Sequence, residues 1–277
     1  VTLGLLLDVD GPLASTVTRT LRVATIAPDL VALAHAGAPV VFNTGRSTAF
    51  LVERVIPELA AAGLRPDAPV WGVGEKGATW FSLEPDAPEV RVGEIHADIE
   101  LRPPQALVDA IRELAEPHAD LMFWDDTKRT MISIEQNVDV ASDAYLAAQP
   151  ALVRACQQVI DDQGLADRFH IIPTIISIDI EHVDAGKALG AERALSLVEQ
   201  RMAAPRRWFT AGDSPSDYDM ARWLHARGDA VTHLDVRPDG EAMTEPFEVL
   251  RETPGQDRAE DDITAEHLDR LRAELSG

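Results

Sequence analysis

Asp8 and Asp10 stand two residues apart at the end of a short apolar run, Leu3-Gly4-Leu5-Leu6-Leu7. In an extended chain, alternation points both carboxylates the same way. Side by side they repel, and one pKa rises unless a cation sits between them. A hard dication such as Mg²⁺, which takes oxygen ligands, suits that position. A carboxylate can attack phosphorus to give an aspartyl-phosphate. A second carboxylate can protonate the leaving alkoxide and then deprotonate the hydrolytic water, and Asp10 is placed to do both in turn. The same pair also fits a turn or a helix cap.

Three further clusters carry chemistry-bearing groups. Thr44, Gly45 and Arg46 follow the apolar run 38–42. A hydroxyl and nearby N–H groups at a helix start can hold phosphate oxygens, and glycine lets backbone approach closely. Arg46 is a candidate phosphate or substrate contact. A plain N-cap for the next helix is the alternative. Lys187 follows Gly186 where a helix begins, and a lysine there opposes the macrodipole, which invites a functional reason; a solvated lysine is the other reading. Asp213 and Asp217 lie in Gly212-Asp213-Ser214-Pro215-Ser216-Asp217. Asp213 is placed to complete a metal site, and Asp217 to ligate the metal or to pair with Lys187. A capping sequence for the following helix uses the same residues.

The elements that must position these groups are legible as alternating apolar runs and helical stretches. Runs at 3–7, 38–42 and 69–73 read as strands buried on both faces, separated by helices at 28–36 and 48–62. This is βαβαβ order, hence an open, doubly wound, mostly parallel sheet whose ligands bind beyond the carboxyl ends of the strands. Near residue 84 the pattern changes. Short strands at 90–95, 121–124, 131–134, 170–172 and 175–180, with helices at 104–115 and 142–163, suggest an inserted α+β domain with an antiparallel sheet. A helix from 186, a strand at 207–211, a helix at 218–226 and a strand at 230–234 resume the parallel pattern. The expected division is a core at 1–83 and 184–277 with an insert at 84–183. Residues 252–262 read as an acidic loop before a last helix at 264–275.

The bulk composition bounds the function. The chain has 277 residues, a net charge of -22, 45% hydrophobic and 26% charged residues. Such acidity argues against nucleic acid and against an anionic membrane surface. It leaves room for a small anionic substrate at a locally cationic site. One cysteine, Cys156, excludes an intrachain disulfide and a cysteine-based zinc site. A cytoplasmic location follows as an expectation. No apolar stretch is long enough to span a bilayer, and the first residues carry no basic segment or cleavage site, so no signal peptide is expected.

Together the four clusters resemble the haloacid dehalogenase (HAD) superfamily over nearly the whole chain. Asp8-Val9-Asp10-Gly11-Pro12 is similar to its first motif and the run ending at Thr44 to its second. Lys187 stands for the third, and Gly212 to Asp217 for the fourth. The resemblance implies that Asp8 is the nucleophile and a metal ligand. It makes Asp10 the acid/base, with its carbonyl on Mg²⁺. Thr44, Gly45 and Lys187 hold the phosphoryl group, Asp213 ligates the metal, and Asp217 supports the metal or Lys187. The insert is similar to a C2 cap, most like the C2B form of Cof-type, sucrose and mannosyl-3-phosphoglycerate phosphatases and phosphomannomutase. Gly74-Glu75-Lys76-Gly77-Ala78 resembles the E-N-G-A segment before that cap. Pro12 replaces the usual Thr, and Ser216 an Asn frequent in Cof-like members.

The expectation is a Mg²⁺-dependent phosphatase acting on a small phosphorylated metabolite such as a sugar or polyol phosphate. The rivals are a phosphosugar mutase and a HAD-fold binding protein without turnover. Oligomeric state stays open. Gly72-Val73-Gly74-Glu75-Lys76-Gly77 matches a dinucleotide fingerprint, but no helix pattern follows it. Trp124, Asp125, Asp126, Lys128 and Arg129 fall in an expected hairpin of the insert, either an exposed turn or a contact for substrate hydroxyls.

Overall fold

A computed structural model describes residues 3–15, 18–241 and 243–276. The chain forms two compact units, Val1–His96 with Gly186–Gly277, and Ala97–Ala185. The chain opens with β1 (Leu3–Leu7), α1 (Ile26–His35) and β2 (Val40–Asn43). Next, α2 (Thr48–Phe50) runs through a π-helical turn at Leu51–Val55 into α3 (Ile56–Ala61). Then come β3 (Val70–Gly74), β4 (Thr79–Ser82) and β5 (His96–Ala97). The second unit contains α4 (Gln105–Ala115), β6 (Met122–Trp124), β7 (Ile132–Gln136), α5 (Ser142–Asp162), β8 (Phe169–Pro173) and β9 (Ser177–His182). The chain then completes the first unit with α6 (Lys187–Glu199), β10 (Arg207–Gly212), α7 (Tyr218–Ala226), β11 (Ala230–Asp235), β12 (Glu248–Arg251) and α8 (Glu260–Ser276).

Among the described residues the larger sheet has the order β12-β11-β10-β1-β2-β3-β4-β5. Neighbours from β12 to β3 are parallel, and β4 turns back antiparallel on β3. The chain winds outward from β1 in one direction through β2 and β3. It returns after the second unit to wind the other way through β10, β11 and β12. The order therefore reverses between β1 and β10, the place where open α/β sheets leave a crevice for ligands. Side-chain alternation builds a layer on each face. Leu3, Leu5 and Leu7 with Val40 and Phe42 pack under α1, α3 and α8, while Leu6, Val41 and Trp208 pack under α6 and α7. Because both faces are covered, the strands read as continuous apolar runs.

The second unit has a sheet of order β6-β7-β9-β8, antiparallel throughout. Ile132, Ile134, Ile178 and Ile180 face Leu107, Ile111, Tyr145, Leu152 and Ile160 of α4 and α5. Cys156 is buried in the same cluster, and burial pushes its thiol up to about 12. It is an inert packing residue.

Several elements depart from the sequence expectation. The strand expected at 90–95 is reduced to one bridge between Leu83 and Val92, followed by the two-residue β5. Gly93 interrupts that run, and glycine inside a strand weakens it. β12 was hidden because Glu248 and Arg251 flank just two apolar residues at the edge of the sheet. The helix expected at 142–163 is continuous over Ser142–Asp162, running through Pro150. The last helix starts at Glu260, so that Asp262 sits in its first turn, where it accepts from Ala259 N at 2.8 Å.

Candidate active site

Strand register decides which residues meet. Leu7 is level with Phe42 of β2 and Ala211 of β10. Asp8, one residue past β1, therefore stands between the tips of those two strands. Its N–H donates to Ala211 O at 3.0 Å, and its Oδ1 accepts from Val9 N at 2.7 Å. Lys187, the first residue of α6, comes down between the acidic groups. Its Nζ lies 2.8 Å from Asp8 Oδ1 and 2.6 Å from Asp217 Oδ1, and donates to Asn43 O at 2.8 Å. All three side chains are buried. Asp213 completes the group: ligand oxygens of Asp8, Asp213 and Asp217 all lie within 4.8 Å of one another.

The local backbone is shaped to let this happen. Gly11 has φ +83, and a Cβ there would collide with the Asp213 carboxylate. A Cβ on Gly212 would likewise run into Asp217. Asp217 is pinned by a capping box, its Oδ2 accepting from Ser214 N at 2.9 Å and Ser214 Oγ at 2.7 Å.

Asp10 lies outside the carboxylate cluster. Both of its oxygens accept from Arg46, from Nε at 2.8 Å and Nη2 at 3.1 Å. The Arg46 guanidinium also lies over the Phe50 ring, 5.1 Å from its centroid. Thr44 is fully buried, and its Oγ1 accepts from Arg46 N at 3.1 Å. Gly45 follows, with the Lys76 side chain passing 3.6 Å from where a Cβ would stand. The dinucleotide-like segment is a short turn in which Glu75 and Lys76 adopt left-handed φ of 48° and 54°. This is a costly conformation for residues with a Cβ. The turn is held because Glu75 N donates to Arg46 O, Lys76 N to Thr44 O, and Gly186 N to Lys76 O, at 2.8–3.0 Å. It ties the Thr44 loop to the start of α6. In the second unit, Asp125 caps its own turn by accepting from Thr127 N, and Arg112 pairs with Asp126 and covers Trp124.

No protein-family model matches the chain, and no curated protein sequence matches it. Solved structures do. The C-terminal domain of trehalose-6-phosphate phosphatase from C. albicans aligns with a TM-score of 0.66 at 13% identity, over 98% of this chain and 92% of that one. A haloacid dehalogenase-like hydrolase from Bacteroides thetaiotaomicron aligns at 0.63 and 14% identity, over 98% and 100%. IMP-nucleotidase from Plasmodium falciparum aligns at 0.60 and 11%, over 100% of this chain and 63% of that one. This chain has the HAD-like fold. At these identities the likeness is one of fold, and the chemistry must be argued from the side chains.

In this HAD-like core the ionised carboxylates outnumber the ammonium, and protons or a cation must make up the difference. Burial, and then the neighbouring carboxylates Asp217 and Asp10, push Asp8 up to about 7 although Lys187 pulls the other way. Burial, followed by Asp8 and Asp217, pushes Asp213 up to about 8. Burial opposes the Lys187 ammonium, yet Asp217 and Asp8 outweigh it and hold its pKa above the usual value. One ammonium faces three close carboxylates, so two negative charges are left over at a site lined with oxygen ligands. That donor set fits Mg²⁺.

Sequence reasoning passed over Asn43. It is fully buried at the tip of β2, where its Nδ2 donates to Lys187 O at 3.0 Å while its own carbonyl accepts from Lys187 Nζ. This reciprocal pair fixes both ends of Lys187. The available signal was a side-chain amide closing a strand that is otherwise apolar.

Proposed function

We propose that this protein is a Mg²⁺-dependent phosphatase of small phosphorylated metabolites that works through an aspartyl-phosphate on Asp8. The observation that carries the reading is Lys187 Nζ held between Asp8 and Asp217, with Asp213 beside them, at the strand tips where the sheet order reverses. Asp8, Asp213, Asp217 and the carbonyl oxygen of Asp10 would hold Mg²⁺, whose charge would draw the phosphoryl oxygens toward an anionic nucleophile.

Asp8 attacks phosphorus, and the bond to the leaving alkoxide breaks as the Asp8–phosphorus bond forms. Lys187 stabilises charge on the transferring group and keeps Asp8 aimed. Thr44 Oγ1, which accepts from Arg46 N, retains its own hydrogen to donate to a phosphoryl oxygen. Asp10 gives a proton to the alkoxide and takes one from the water that then attacks the aspartyl-phosphate, releasing phosphate and restoring Asp8. Arg46 holds both Asp10 oxygens. Donation to the leaving group requires one oxygen to be let go, which frees part of the Arg46 guanidinium for substrate.

The second unit, Ala97–Ala185, reads as a C2-type cap that selects the leaving group. Trehalose-6-phosphate phosphatases among the structural neighbours favour a sugar phosphate. The IMP-nucleotidase neighbour supports a nucleoside monophosphate as the second reading. A panel of phosphate monoesters assayed for phosphate release with Mg²⁺ separates these, and separates both from a mutase, which frees little phosphate. Asp8→Asn should lower kcat by at least about 1000-fold with the fold intact. Activity unchanged in that variant would overturn the assignment of the nucleophile.

A further inference from the structure

We propose that Tyr218 and Asp235 are positioning residues that hold the acidic loop 212–217 in the shape its carboxylates need; the proposal rests on the Mg²⁺-dependent reading above. Asp235 ends β11 and is level with Gly212 at the end of β10. It is fully buried and accepts from Arg237 N and Nε at 3.0 Å, Arg237 Nη2 at 2.8 Å and Arg251 Nη1 at 3.3 Å. Two guanidiniums already balance its charge. Even so, its Oδ2 also takes the Tyr218 hydroxyl at 2.6 Å.

Tyr218 directly follows Asp217 and opens α7. Its ring stands 4.3 Å from the His233 ring, with the Arg237 and Arg222 guanidiniums 5.4 Å and 5.6 Å from its centroid. The phenol is therefore fixed in orientation as well as in place. At the other end of the loop, Val236 N donates to Gly212 O at 3.0 Å. The segment bearing Asp213 and Asp217 is thus tied at both ends to one strand tip: Gly212 through the backbone of Val236, and the residue after Asp217 through the Tyr218–Asp235 hydrogen bond. From there the contacts run on through Asp217 and Lys187 to Asp8. Groups that orient metal-binding carboxylates in this way govern metal affinity.

The test is Mg²⁺ binding to metal-stripped, full-length protein by isothermal titration calorimetry. Tyr218→Phe removes one hydroxyl and keeps the ring; Asp235→Asn is the second variant. Tyr145→Phe is the control, because it also deletes a buried hydroxyl, one bonded to Gln149 in the other unit. Tyr218→Phe and Asp235→Asn should each weaken Mg²⁺ binding about 10-fold, and Tyr145→Phe should bind as the wild type does. Wild-type affinity in Tyr218→Phe, or an equal weakening in Tyr145→Phe, overturns this inference alone. A wild-type protein that binds no Mg²⁺ overturns the phosphatase reading and this one with it.

Discussion

Asp8 and Asp213 behave unlike ordinary surface carboxylates, because burial holds their folded-state pKa near 7 and 8 while the unfolded chain titrates near 4. Below about pH 4 both states carry the protons. Between about pH 4 and pH 8 the folded state binds more protons than the unfolded state, so stability falls as pH rises through that window. Metal-free protein should therefore lose thermal stability from about pH 5 to about pH 8, and saturating Mg²⁺ should flatten the decline by taking the place of the protons. Melting curves across that range with and without Mg²⁺ check this. Parallel slopes in the two series would show that these carboxylates are not the ligands. Asn43 also belongs to this scale. Its hydrogen bond to Lys187 O costs the chain no charge, yet it holds the helix start that carries the one buried ammonium of the site.

Among the elements, α5 of the second unit is the one whose sequence and structure conflict most. Pro150 lies nine residues into the helix, where it cannot donate to the carbonyl four residues back. The helix persists because Tyr145, Leu152, Cys156 and Ile160 pack into the core from both sides of the proline, so tertiary burial outweighs local propensity. Replacing Pro150, which is exposed, by Ala restores the backbone donor and should stabilise the unit by about 1–3 kcal/mol. Urea denaturation of the two proteins would read this. A destabilised Pro150→Ala variant would mean that the proline itself is needed for packing. The larger sheet shows the opposite situation. β1, β2 and β3 agree at every level, with apolar residues on both faces and helices to cover them, and that agreement is why they were legible in the sequence.

For the whole molecule, chain continuity separates the two units. The second is one uninterrupted segment with its own sheet, two covering helices and a closed apolar cluster. A fragment of residues 97–185 should therefore fold alone and unfold cooperatively in urea, as far-ultraviolet circular dichroism would show. A broad, non-cooperative transition would mean that its core depends on the rest of the chain. The first unit is discontinuous. β1 pairs with β10 across about 200 residues, and its sheet cannot close until the segments on either side of the second unit meet.

The sequence by itself determined the doubly wound core and the acidic, threonine and lysine clusters at its strand tips. Strand period, helix stops and the residue types at each tip are local properties, and Asp8, Thr44, Lys187 and Asp213 could be read from them. Tertiary structure alone decided the partners. Arg46 turns to Asp10, Asn43 grips Lys187, and Tyr218 reaches Asp235. Each of these contacts depends on register and helix placement between elements whose spacing in the chain carries no trace of it. Tyr218 and Asp235 are 17 residues apart in sequence and 2.6 Å apart in space, because α7 packs back against β11, the strand that follows it.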